Sequence, residues 1–320
     1  MSKGMKILFI TASALVFVGL IIFGGAMACM GWNFSELSTA TYVTNEYNFS
    51  EKIESIIIDS TVTDVIFVTA DKTEASVVCY EMENASHTVE LKDGTLSLRI
   101  NDQRKWYEHI GINFKTPRIT VTIPKGEYAS LNVKLSTGDL DLPESLSFGE
   151  ICAEVTTGRV KSSSDGGRMD IRASTGAIFL KDVTAEDISL ATSTGRIRAE
   201  NINCKNDFSV EVTTGDSELV KVRTNNFSTT GSTGDLELSD LIAVGKLYAE
   251  RSTGDIELDG CDGGEICIKL STGDLEGTLL TEKSFSIQAG TGDVEVPRGT
   301  SGGRCEITTK TGDIEIEIAH

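Results

Sequence analysis

The 320 residues carry 29 basic and 48 acidic side chains, a formal charge of −19, with only four prolines and seven cysteines. So acidic a chain is a poor match for nucleic acid or an anionic lipid surface, whose phosphates select basic patches. Cations and basic polymers are the partners its charge admits, and its length allows one large or two modest domains with a true core.

Residues 1–6 contain Lys3 and Lys6, and the next 24 residues, Ile7 to Met30, are uncharged. A helix rising ~1.5 Å per residue crosses a bilayer with about 20 such residues. No base follows until Lys52, so the positive-inside rule leaves 1–6 in the cytoplasm and predicts a single-pass anchor over 7–30 with the rest outside. Two processed forms compete with this anchor. Ala26-Met27-Ala28 fits the small-residue pattern before a signal-peptidase cut, and Cys29 directly after it is a degenerate lipid acceptor. The apolar run, however, exceeds the ~7–15 residues of an ordinary signal core. All three forms place the remainder outside, where 27 bases (29 less Lys3 and Lys6) face 48 acids, or −21.

Residues 31–49 read as a tether. From 50 to 130 the pattern is β without repetition: IIID, DVIFVTA, ASVVCYE, HTVELKDGTLSLRI and RITVTIPKG. The Asp93-Gly94 pair predicts a tight hairpin. This segment is expected to cap a larger stack, because an open stack exposes a strand edge. Aromatics interrupt the β pattern only in NDQRKWYEHIGINF, where Trp106 and Tyr107 form either a candidate aromatic lip for a sugar or peptide or an insertion packed on the stack.

Residues 131–320 repeat. Thr precedes a glycine at 138, 158, 176, 195, 215, 234, 254, 273, 292 and 312, so Gly138, Gly158, Gly176, Gly195, Gly215, Gly234, Gly254, Gly273, Gly292 and Gly312 recur every 18–20 residues. Seven residues before each stands an apolar residue, from Leu131 through Phe208 to Cys305. Two after stand Leu140, Val160, Ile178 and their equivalents, with Ser217 the polar exception. Apolar positions two apart are the period of a half-buried strand. One such repeat cannot bury its apolar face alone, but stacked repeats close a continuous core. The predicted fold is all-β: a parallel β-solenoid of about ten 19–20-residue coils, right-handed as parallel crossovers are. At ~4.8 Å per coil it stands about 45–50 Å tall. The glycine supplies the positive φ of a sharp corner. The last predicted strand, IEIEI, ends two residues before His320, so a minimal or partner-supplied C-terminal cap is expected.

The run ITVTIPKGEYASLNVKLSTGDLDL, the recurring STGD coils and the GWNFSELST that follows the apolar segment resemble a bacterial group of candidate-adhesin domains of unknown function. The resemblance implies a surface-exposed, non-catalytic β-helix, and, since some related proteins are tied to cell-envelope stress, a possible sensory inheritance.

Seven coils place Asp after the glycine and an acid two further on. From the fifth coil the pairs are unbroken: Asp216/Glu218, Asp235/Glu237, Asp255/Glu257, Asp274/Glu276, Asp293/Glu295 and Asp313/Glu315. Stacked in register, such columns repel by a few tenths of a kcal/mol up to about one per pair. They read either as a solvated face with turn-capping aspartates or as a stripe for divalent cations such as Ca²⁺ or a cationic polymer. The repeat is not the Gly-Gly-x-Gly-x-Asp of calcium-binding β-rolls.

The cysteines show no C-x-x-C spacing and the three histidines (87, 109, 320) are scattered, which speaks against zinc and against a catalytic triad. Several cysteines fall in apolar slots of the repeat, as small core residues do. No cofactor is expected. The function predicted from sequence is a membrane-anchored surface binding scaffold without catalysis, meeting a cell-wall or extracellular polymer. The alternative is the ectodomain of an envelope-stress system acting through a membrane signalling protein, with a polysaccharide-active enzyme as the remote third.

Overall fold

The computed structural model describes residues 3–29, 31–32, 41–70, 74–105, 115–299 and 301–319. Helix α1 (Lys3–Cys29) is long and apolar enough to cross a membrane. Among the described residues all other regular structure is β.

The repeat coils have three sides. The first corner is the glycine, with φ between 122° and 151° at all ten positions. Six residues later comes a second left-handed corner, at Asp182, Asn201, Lys221, Asp240 and Gly260, with φ of 54–61°. Asp and Asn tolerate this region because their side chains bond locally. The third corner lies nine residues before the glycine, where Gly149, Gly167, Gly245, Gly264 and Gly303 recur. Between corners, alternate side chains point inward, and their apolar residues form one continuous core from Ile53 to Ile316. Cys79, Cys204, Cys261, Cys267 and Cys305 are buried as free thiols, and Cys261 and Cys305 stand in apolar slots of the repeat as small core residues. Successive coils pair in parallel register, as Ile151 with Met169 and Leu131.

The glycines do more than supply φ. A Cβ placed on any of the ten would lie 1.7–2.3 Å from the carbonyl oxygen of the corner below. Backbone stacks directly on backbone here, and nine of the ten glycine amides, all but that of Gly292, donate to a threonine carbonyl of the neighbouring coil, as Gly176 N to Thr194 O at 2.9 Å.

The solenoid begins one coil before the glycine pattern. Strands β1 (Tyr42–Phe49), β2 (Ser55–Val62), β3 (Asp64–Ala70), β4 (Ala75–Met82), β5 (Ala85–Lys92), β6 (Thr95–Asp102) and β7 (Arg118–Pro124) build the N-terminal end. β2 and β3 form a coil whose corner is Thr63-Asp64, paired in parallel with the first repeat through Ile56↔Leu131 and Val65↔Leu140. Beneath them β6 and β7 add a further parallel layer. Only then does the pairing turn antiparallel: β5 on β6, β4 on β7, and β1 on β4. The second half of the expected tether is therefore strand β1, a member of the cap sheet. The hairpin at Asp93-Gly94 has both residues at positive φ, as its sequence predicted.

The C-terminal end departs from sequence order. Strand Gly303–Thr311 pairs with the Ile266–Thr272 stretch on one side and with Lys283–Thr291 on the other. The coil of Gly312 is thus inserted between those of Gly273 and Gly292, and the coil of Gly292 closes the stack.

Candidate functional site

The residue after each corner glycine has a structural duty that sequence only half revealed. Asp139 Oδ1 accepts the main-chain amide of Arg159 in the next coil at 2.8 Å, and the Asp139 amide in turn donates to Asp64 Oδ1 at 3.0 Å. From the coil of Gly215 the chain of caps is unbroken. The amides of Asp235, Asp255, Asp274, Asp313 and Asp293 donate in turn to Oδ1 of Asp216, Asp235, Asp255, Asp274 and Asp313, over 2.7–3.3 Å. One carboxylate oxygen of each capping aspartate is therefore committed to backbone.

The acids two residues further on have no such duty. Glu218, Glu237, Glu257, Glu276, Glu315 and Glu295 are direct ladder partners in that spatial order, spaced by ~4.8 Å per coil. The lower end of the stripe is neutralised. Arg196 bridges Asp216 at 3.1 Å and Arg198 bridges Glu218 at 3.1 Å. Beyond it, from Asp235/Glu237 to Asp293/Glu295, the ten carboxylates make no salt bridge among the described residues. The stripe expected over twelve acids is thus ten unpaired ones in five coils, with the 313/315 pair lying inside the 293/295 pair. Trp106 and Tyr107, the expected aromatic lip, lie outside the described residues.

A second constellation escaped sequence reading. In the cap, Ser60 Oγ lies 2.8 Å from His87 Nε2, and His87 Nδ1 lies 2.6 Å from Glu81 Oε2. Glu81 also accepts the His87 amide at 2.7 Å and the Asn45 side-chain amide at 2.7 Å. Ser60, Glu81 and His87 are each at most 4% exposed. The order resembles the nucleophile–base–acid relay of hydrolases, but Ser60 is 1% exposed and donates to Thr63 Oγ1 at 2.9 Å. The nearby cleft lined by Thr61, Thr63, Met82 and Ala85 offers about 10 Å³, room for about one water molecule and none for a substrate. Cys79 stands beside this relay, and burial and then the Glu81 charge push its thiol up to about 12. The signal was present: in ASVVCYEM the inward positions 75, 77, 79 and 81 end on an acid. An acid in an apolar register demands a partner.

A third polar group is fully internal. Arg251 occupies an inward position, is 1% exposed, and donates to Glu250 O, Ser217 Oγ and Thr229 Oγ1 at 2.9–3.1 Å. Its Nε has no partner, and burial lowers the guanidinium to about 10.

The family model described as Toastrack DUF4097 matches residues 53–266 and 205–320. Among solved structures, a candidate adhesin of Bacteroides fragilis shares 16% identity over 87% of this chain and 97% of its own, with a TM-score of 0.39. A candidate adhesin of Parabacteroides distasonis shares 12% over 88% and 98%, at 0.44. A candidate lipid-binding protein of the same species shares 16% over 88% and 98%, at 0.43. No curated protein matches the chain.

Proposed function

Because the chain belongs to the Toastrack DUF4097 family, we propose that it is an adhesin-like binding scaffold without catalytic chemistry, held at a membrane by α1, with the unpaired carboxylate ladder as its binding face. The observation that carries this reading is the direct pairing of Glu237, Glu257, Glu276, Glu315 and Glu295 along one wall with no base between them. In-register like charges weaken a sheet, so a fold that keeps five in a row retains a cost that a bound cation removes. The second oxygen of each capping aspartate stands beside this column and adds hard oxygen ligands, the kind Ca²⁺ and ammonium groups take. A cationic polymer with a matching repeat would neutralise several coils at once, and its affinity would fall with added salt.

Calorimetric titration of the chain with Ca²⁺ and with a short polylysine tests this. Heat of binding is expected with the native chain and loss of it with Glu237→Gln, Glu257→Gln and Glu276→Gln combined. No heat and no rise in melting temperature with either ligand at physiological concentration would overturn the reading.

A further inference from the structure

We propose that Cys79, Glu81 and His87 form a buried metal site of the zinc class at the N-terminal cap, independent of the carboxylate ladder. The Cys79 sulfur, a Glu81 carboxylate oxygen and a His87 ring nitrogen all lie within 4.8 Å of one another, and all three residues are buried. Mixed thiolate, imidazole and carboxylate donors select a borderline ion over the hard Ca²⁺ or Mg²⁺. Around a tetrahedral zinc such ligand atoms stand about 3–4 Å apart. The cluster reaches that spacing by opening the 2.6 Å His87–Glu81 contact and drawing the sulfur inward.

Three features single this cluster out. First, it is built on one hairpin: Cys79 and Glu81 on β4, His87 on β5, with the turn Glu83-Asn84 between. Second, the Cys79 sulfur, like that of Cys305, has no hydrogen-bond acceptor among the described residues, whereas Cys204 and Cys261 each give theirs to a backbone carbonyl, at 3.4 and 3.2 Å. Of the buried sulfurs without an acceptor, Cys79 is the one with a carboxylate and an imidazole beside it. Third, the outer partner of the histidine is in place. A metal on Nδ1 leaves the proton on Nε2, where Ser60 Oγ accepts it at 2.8 Å and passes its own proton to Thr63 at 2.9 Å. Such a partner fixes the ring and tautomer of a ligating histidine. Asn45, on edge strand β1, already bonds Glu81 at 2.7 Å and stands where its amide oxygen can complete the coordination after a flip. Charge closes as well. A divalent ion with one thiolate, one carboxylate and a neutral imidazole sums to zero, so no uncompensated ion is buried.

The test uses the full chain purified in detergent, stripped with a chelator and titrated with Co²⁺, then Zn²⁺. One equivalent of Co²⁺ is expected to give a thiolate-to-metal charge-transfer band and the visible bands of a tetrahedral ion. Zinc should abolish both and raise the melting temperature. Cys79→Ser should remove the charge-transfer band, while Cys204→Ser and Cys261→Ser should keep it. Ser60→Ala should keep the spectrum but weaken affinity roughly 10–100-fold, the usual effect of losing an outer-shell bond. Should Cys79→Ser fail to fold, Ser60→Ala and His87→Gln carry the test. The proposal is overturned if native chain, refolded with excess metal and dialysed, shows no cobalt band and retains no zinc, or if the band survives in Cys79→Ser or His87→Gln.

Discussion

Gly231 and Arg251 are sized to each other. A Cβ on Gly231 would lie 2.9 Å from Cδ, Nε and Cζ of Arg251 in the next coil. The pair occupies one inward column, where most other coils put an apolar residue such as Leu135, Val155, Ala173 or Leu270 and two put Thr192 and Thr309. The core has exchanged one apolar contact for a guanidinium laid over a bare backbone, with Ser217 and Thr229 turned toward it.

That exchange costs stability. A depressed guanidinium pKa means the folded state disfavours the charge, by about 3 kcal/mol for a fall from 12.5 to about 10. The penalty is present in full below pH 10 and is relieved as pH climbs from about 10 towards 12.5. Arg251→Met is expected to leave the chain as stable as native or to gain about 1–3 kcal/mol at pH 7, with the gap narrowing above pH 10. Chemical denaturation at several pH values checks this, and a clear loss at pH 7 would contradict it.

The capping aspartates separate acceptor from charge. Asp255 Oδ1 takes the Asp274 amide at 2.8 Å while sitting in a column of like charges. Asp255→Asn keeps the acceptor and removes the repulsion, so its stability should equal or exceed native. Asp255→Ala should lose about 0.5–2 kcal/mol, as removal of a capping side chain does. Equal losses in both variants would show that the charge itself is needed.

Gly195 has a φ of 151°, and a Cβ there would meet Gly176 O at 1.7 Å. Because that obstacle is backbone, the stack must part to admit a methyl group. Gly195→Ala should cost about 3 kcal/mol or more. Gly4→Ala, where nothing lies within 4 Å, should cost nothing measurable.

Burial pushes the thiols of Cys261 and Cys305 up to about 11 and about 12. At pH 8 a thiol of pKa 11 is ionised to about one part in a thousand, so alkylation of native chain should spare both and reach Cys152, which is partly exposed. A raised thiol pKa also adds stability that is whole below pH 9 and is lost as pH climbs from 9 towards 11–12. Denaturation curves of Cys261→Ala against native across that range should converge.

What could be read from the sequence follows from what repeats. The ten Thr-Gly corners, the inward columns and the outward acids recur often enough to expose the period, and the period dictates a stacked coil. Three things left no such trace. The corner at Thr63-Asp64 lacks the glycine, so the coil of β2 and β3 left no mark in the repeat. The left-handed corner is filled by Asp182, Asn201, Lys221, Asp240 and Gly260, residues too varied to form a visible column. The Ser60–His87–Glu81 relay joins three strands of a segment that occurs once, and only its polar residues at apolar positions hinted at it. The acid ladder was visible, but the arginines that silence its lower end act across coils, Arg196 on Asp216 and Arg198 on Glu218, which a reading within each repeat does not show.

The interleaved last coils bear on how the molecule is made. During synthesis the stretch Lys283–Thr291 leaves the ribosome before the strand it will lie against exists. Its only ladder partner among the described residues, Gly303–Thr311, comes later and must slip beneath it, onto the ledge left by Ile266–Thr272. Growth by adding each new strand to the top of the last can therefore run as far as Leu279, which still pairs with Cys261, and no further. The segment Gly303 to Ala319 acts as a keystone. Until it is set, the coil above it is a flap of bare strand, and the end of the tower closes in a single late step.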